Sequence, residues 1–246
     1  MDFAIWRERL RDGLGHEAAI PWSEPCRLTG PARDAVGRMA LTCSTLLSVA
    51  AGWHESLART AGSEDEAAAL RELRAVYDGH AASLRRLARL LLGDRIWWLL
   101  PDRLPLPPLV GRATLLLTLH AAGVFSRVWL QAVIDAVRHD PLVSSVFAAM
   151  LYERTFIVSY ARGQLVRAAE RHALVRLELQ WLHGGLIPAL VTGGWLLMGR
   201  DFRLVTGWDW QTLVGRCHQA YEQAYSGDLG HLRQRGPWRA LGRLRL

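Results

Sequence analysis

His80, His120 and Glu153 are residues of metal-binding type on three separate apolar stretches, and Tyr77 stands one helical turn before His80. Between Pro141 and Ala161 the only formal charges are Glu153 and Arg154, set among Val143, Val146, Phe147, Met150, Leu151, Phe156, Ile157 and Tyr160. A carboxylate in such surroundings must be paired, protonated or bound to a metal. The plain reading pairs Glu153 with Arg154 or another arginine at the edge of a bundle. Two imidazoles and a carboxylate meeting in an apolar interior instead make the donor set of a mononuclear non-haem iron site, with coordination positions left for oxygen or substrate. The metal candidates are then His80, His120 and Glu153, with Tyr77 as a donor behind them or a redox partner. Without a metal, Glu153 becomes a proton-transfer group whose pKa burial raises, with His80 or Tyr77 as its partner. For His80 the plain reading is a hydrogen-bonded core histidine.

These side chains need helices to place them. Apolar residues recur at helical spacing over 32–61, with Met39, Leu46, Leu47 and Trp53 and an uncharged middle, and over 64–92, where Leu70, Leu73, Tyr77, His80, Leu84, Leu87 and Leu91 form one stripe. Ser63 with Glu66 reads as a capping box, and Glu64, Asp65 and Glu66 suit the positive end of the helix dipole. A proline-rich connection, DRIWWLLPDRLPLPP, is too broken for helix and long enough to cross a bundle from end to end. Further helices are expected over 109–138 and 141–170, the latter with Asp140 as N-cap and Pro141 in the first turn. The midpoints of the four fall near Leu47, Asp78, Gly123 and Thr155, which puts His80, His120 and Glu153 within about one turn of a common level. Before them lie a short helix, Phe3 to Leu14, and an irregular arm whose Ile20 and Trp22 lie across the bundle; His16 and Glu17 there read as surface residues. After them come a helical region from Ala173 to Met198, kinked or split at Pro188 and its glycines, and a last helix, Trp210 to Tyr225, with Leu213, Val214, Cys217 and Tyr221 turned inward. Glu178 and His183, five positions apart, make a poor pair on one face. The expected fold class is all-α: an N-terminal helix and arm over 1–31, a four-helix bundle over 32–172, helices packed on it over 173–226, and a basic tail over 227–246.

Two helices in a hairpin, a long crossover and a second hairpin resemble the ferritin-like superfamily of diiron-carboxylate proteins. The segment SEDEAAALRELRAVYDGHAASLRRLARLLLG is similar to that family's second helix, and RHDPLVSSVFAAMLYERTFIVSYARGQL to its fourth, both of which carry Glu-x-x-His in the family. The likeness covers approximately residues 32–170. The motifs depart from it: Tyr77 and His80 occupy the first Glu-x-x-His, Glu153 is followed by Phe156 where the second has His, and His120 falls near the place of the third helix's acid. The first helix offers Ser44, Thr45 or Ser48 at mid-height, with Glu55 two turns away. A six-ligand diiron site is therefore not expected, and the site is either rebuilt around one iron or lost. The resemblance implies an oxygenase or hydroxylase acting on a small, mostly apolar substrate, in bacterial specialised metabolism.

Composition sets the remaining expectations. The chain has 246 residues, half of them hydrophobic, and a formal charge of +7 carried by arginine without a single lysine. That usage points to a GC-rich genome more than to a selected basic surface, and nucleic acid is not an expected partner. Cys26, Cys43 and Cys217 form no CxxC pair, so neither a disulfide framework nor a zinc knuckle is expected, in keeping with a cytoplasmic protein. The N-terminus lacks the pattern of a signal peptide. The tract from Leu179 to Gly199 is just long enough to span a bilayer, but its glycines and Pro188 and its equal arginine flanks favour burial in the protein. No GxSxG, GxxxxGK[ST] or GxGxxG motif is present. The expected partners are a small apolar substrate, a second copy of the chain as a homodimer, and an anionic membrane surface met through Trp195, Trp208, Trp210 and the arginine-rich tail.

Overall fold

A computed structural model describes residues 3, 6–8, 10–11, 19–93, 112–171 and 173–226, with side chains omitted at 153, 155, 156, 169, 171–187, 222 and 224–226. Six helices follow one another among these residues: α1 (Gly30–Arg59), α2 (Glu64–Leu92), α3 (Arg112–Ala136), α4 (Pro141–Arg171), α5 (Ala173–Thr206) and α6 (Trp210–Ser226), and no strand occurs among them. The all-helical expectation is met, and the first four helices fall within three residues of their predicted ends. The crossover lies outside the described residues, as do His16, Glu17, the side chains of Glu178 and His183, and the basic tail.

The capping residues act much as their types predict. The Glu66 N–H donates to Ser63 Oγ at 3.2 Å, but the Glu66 carboxylate returns to the N–H of Gly62 at 2.7 Å rather than to that of Ser63. Gly93, at φ 59°, closes α2 with its N–H on the Arg89 carbonyl, a left-handed position that favours glycine. Asp140 is fully buried, and its Oδ1 accepts the Val143 N–H at 3.0 Å as an N-cap. Its Oδ2 takes the N–H groups of Arg27 and Leu28 at 2.6 and 3.1 Å and the Cys26 thiol. One carboxylate thus starts α4 and ties down the arm. Burial pushes the Asp140 pKa up, but these bonds outweigh it and hold the carboxyl below its ordinary range. Farther along the arm Ile20 is buried and Trp22 lies under the Arg86 guanidinium at 4.1 Å, as expected of a strap across the helices.

α1 and α2 pair as one antiparallel hairpin and α3 and α4 as another. Glycine permits the close approach: a Cβ on Gly37 would sit 2.6 Å from Leu92 Cγ, and one on Gly123 would sit 2.6 Å from Val158 Cγ2. The valine methyl belongs to a β-branched side chain and has little room to turn. Gly123→Ala is therefore expected to force α3 and α4 apart and to cost about 2 kcal/mol, measurable as a lower urea midpoint with an unchanged slope.

The hairpins meet each other mainly through α2 and α4, over a small area, and α5 packs along both α1 and α3. Arg38 grips Asp201 with bonds of 2.9 and 2.6 Å, Phe125 lies against Gly194, and Trp129 stacks on Phe202 at 5.8 Å. So α5 packs against both hairpins. It runs unbroken through Pro188 to Thr206, longer than predicted and without the expected split. A proline inside a helix removes one N–H, and here it lies on the exposed side, where water can serve the freed carbonyl.

Three helices, Gly30–Arg59, Arg112–Ala136 and the Pro141–Ala168 part of α4, are long and apolar enough to cross a membrane. More than half of each apolar window is buried inside the protein. In the described part of the tract 179–199, residues 188–199, Val191 and Met198 point inward, while Thr192, Leu196 and Leu197 are exposed.

Candidate functional site

Tyr77 and His80 are both buried on α2, as the stripe requires. The partner drawn to Tyr77 is Arg154, whose Nη1 donates to the phenol oxygen at 2.5 Å while its guanidinium carbon lies 4.6 Å from the ring centre. Arg154 is only 8 % exposed, and the Glu153 side chain with which sequence would pair it is not among those described. His54 of α1 completes the cluster, its ring set edge-on to Tyr77 at 4.6 Å between centres. Neither nitrogen of that ring reaches a partner at hydrogen-bonding geometry. Burial drives its pKa down to about 3; the Ala50 carbonyl pulls weakly upward and the Arg154 charge adds to the depression. His54 is accordingly neutral at physiological pH and no proton donor there.

His120 sits elsewhere. It is fully buried on α3, a little less than one turn before Gly123, the glycine that lets α4 approach; its Nδ1 lies 3.3 Å from the Val158 carbonyl and its ring 5.7 Å from that of Tyr221 on α6. The Glu153 side chain lies outside the described residues. Among the described residues no three His, Cys, Asp or Glu side chains stand together as a metal would need. The mid-height hydroxyls of α1 are engaged locally: Ser44 and Thr45 donate to the Leu41 carbonyl and Ser48 to that of Ser44. A divalent ion beside Tyr77 would have to share a water-poor space with the Arg154 cation.

Two signals went unread in the sequence. His54 stands beside Glu55 and close to Arg59 near the end of α1, which reads as a polar end, yet Ala51 and Leu57, three positions to either side, are both buried, which places it on the inner face. The second is a polar knot between the hairpins. Glu66 Oε1 accepts from Tyr160 Oη at 2.8 Å, from Arg112 Nη2 at 2.9 Å and from the Gln164 amide. Arg112 opens α3 and also caps α1, donating to the carbonyls of Leu57 and Thr60 at 3.1 and 2.7 Å.

The cysteines carry no reactive thiolate. Burial pushes Cys43 and Cys217 up to about 12 and, aided by the Asp140 carboxylate, Cys26 up to about 11. All three are free.

Among the described residues a cleft of about 1200 Å³ opens between α3, α4 and α6, bordered also by Ala19 of the arm and Trp208 of the α5–α6 connection. Ala132 and Ala149 form a floor of small side chains, Val128 and Trp208 supply apolar walls, and Arg127 and Arg216 stand at its exposed edge. Asp135 also lines it, accepting a hydrogen bond from Gln131 at 2.9 Å, so among the described lining residues arginine exceeds acid by one. Val124 of the lining is one turn along α3 from His120, and Ala220 is the neighbour of Tyr221. The chain matches no family model, no curated protein and no solved structure.

Proposed function

We propose that this all-helical protein binds a small amphipathic molecule, apolar with one anionic group, in the cleft between α3, α4 and α6. The observation that carries this reading is the cleft itself: a volume suited to a small ligand, a floor without large side chains, an indole wall and two arginines at the rim. The apolar body would lie against Trp208, Val128 and the alanines, and the charged end would meet Arg127 or Arg216. The Arg216 guanidinium is 6.0 Å from the Trp208 ring centre, so one group can shield the other from water. Titration with 1-anilinonaphthalene-8-sulfonate tests the site. Ala148 lines the cleft and is exposed, so Ala148→Trp fills the space without entering the core. The dye's affinity is expected to fall by about tenfold in that variant and in Trp208→Ala, the loss of one well-packed apolar contact. Equal affinity in both variants and the parent protein would remove the proposal.

An oxygenase is the second reading, favoured by one observation: His80 and His120 are both buried, on different hairpins. It requires Glu153 to join them. Iron at one equivalent in purified protein, abolished in His120→Ala and Glu153→Ala, is its expected result; protein that stays metal-free after anaerobic loading with ferrous iron counts against it.

A further inference from the structure

The last four turns of α5 have an unusual outer face. Taking about 100° per residue, Thr192, Leu196, Leu197, Arg200, Arg203 and Leu204 fall within about 140° of arc, and all six are exposed. Leu196 is 80 % exposed, more than any other large hydrophobic side chain among the described residues, with Leu197 at 48 % and Leu204 at 46 %. The charges on this face are two arginines. The helix's one acid in these turns, Asp201, points the other way and is held by Arg38. The opposite side is already satisfied by the core, where Val191, Met198 and Phe202 are buried. The face is therefore an outward-directed surface of leucine and arginine.

A water-facing helix side ordinarily mixes both signs of charge and shows single leucines. Leucines interleaved with cations and free of acid match a surface that is apolar a few ångströms down and negative above, which is the boundary of an anionic bilayer. The tryptophans expected to supply this contact are half-buried: Trp195 meets Trp210 edge-on at 6.0 Å, and Trp208 lies edge-on to Phe202 at 6.3 Å. We propose that the Leu196–Leu204 face of α5 docks the protein on an anionic lipid surface, with the leucines entering the acyl boundary and Arg200 and Arg203 at the headgroup phosphates. This inference does not depend on the cleft ligand.

The test is flotation of the full chain with vesicles of phosphatidylcholine alone and of phosphatidylcholine mixed with phosphatidylglycerol. Binding is expected only with the anionic lipid and to weaken in high salt. Removing both cations, as Arg200→Gln with Arg203→Gln, is expected to lower the partition coefficient by about 30-fold, and Leu196→Ser with Leu204→Ser by at least about tenfold. Both pairs change exposed residues, and unchanged far-ultraviolet circular dichroism and melting temperature confirm that each variant is folded. Equal binding to both lipids, or anionic binding that survives in the leucine pair, overturns the proposal; the latter result assigns attachment to the arginine-rich tail. A dimer seen by light scattering without lipid, and lost in the leucine pair, overturns it in favour of a second copy of the chain.

Discussion

The difference in stability between the protein and its His54→Leu variant is expected to shrink or reverse by about 3 kcal/mol on going from pH 7.5 to pH 4.5. The folded protein keeps His54 neutral down to about pH 3, whereas an unfolded chain protonates the same ring near its ordinary value of 6.5. Between those values the unfolded state binds more protons, so stability rises with pH through this window and is lost as the solution is acidified. One proton of difference corresponds to about 1.4 kcal/mol per pH unit. Leucine does not titrate and removes this contribution. Other groups, including Asp140 and the ion-paired Glu55 and Glu72, lose their contributions at lower pH, and they cancel in the difference between the two proteins. Urea titrations across the range provide the measurement, and parallel pH profiles for the two proteins would show that His54 accepts a proton inside the fold. Arg154→Met sharpens the test. It removes a cation that adds to the depression caused by burial, so the folded-state pKa of His54 should rise, and the acid loss should level off at a higher pH and be smaller in total.

The buried chemistry follows from how the hairpins join. Within each hairpin, apolar stripes and glycines allow close packing, and periodicity alone reveals those faces. Between hairpins the α2–α4 contact is short and carries polar pairs: Tyr77 with Arg154, and Glu66 with Tyr160 and Gln164. A buried polar pair has few acceptable positions, because sliding one helix by a turn would strand a guanidinium or a carboxylate. These pairs are suited to set the register of one hairpin against the other, a task that leucines perform with less discrimination.

Periodicity, caps and proline placement made the helices legible: Ser63, Asp140 and Pro141 mark their starts, and Gly93 ends α2. Which polar residues meet was not legible, because a charge on an apolar stripe can find its partner on any neighbouring helix. Arg154 illustrates this: its neighbour in sequence is Glu153, but its described contact comes from a residue 77 positions away. Pro188 illustrates the opposite case, since a residue that sequence reads as a breaker lies inside one continuous helix. The cleft was invisible for another reason. Its lining comes from three helices and depends on where alanines leave space, and alanine reads in sequence as an ordinary helix former.

Glu66→Ala is expected to destabilise the protein by about 4 kcal/mol, lowering the melting temperature by roughly 8–16 °C for a chain of this size. The carboxylate collects donors from Gly62, Arg112, Tyr160 and Gln164 while only 5 % of the residue is exposed. Alanine leaves the Tyr160 hydroxyl, on a fully buried residue, without its acceptor and frees the amide of Gly62. Arg112 suffers less, since it keeps the carbonyls of Leu57 and Thr60 and is partly open to water. The cost should therefore fall mainly on Tyr160, and a double-mutant cycle can show it. In a Tyr160→Phe background the same Glu66→Ala change should cost about 1–2 kcal/mol less, because the hydroxyl it would strand is already gone. Additive effects of the two substitutions would mean that the hydroxyl finds another acceptor. The knot would then be held by Arg112 alone, and a loss of stability in Arg112→Met equal to that in Glu66→Ala would confirm the reassignment.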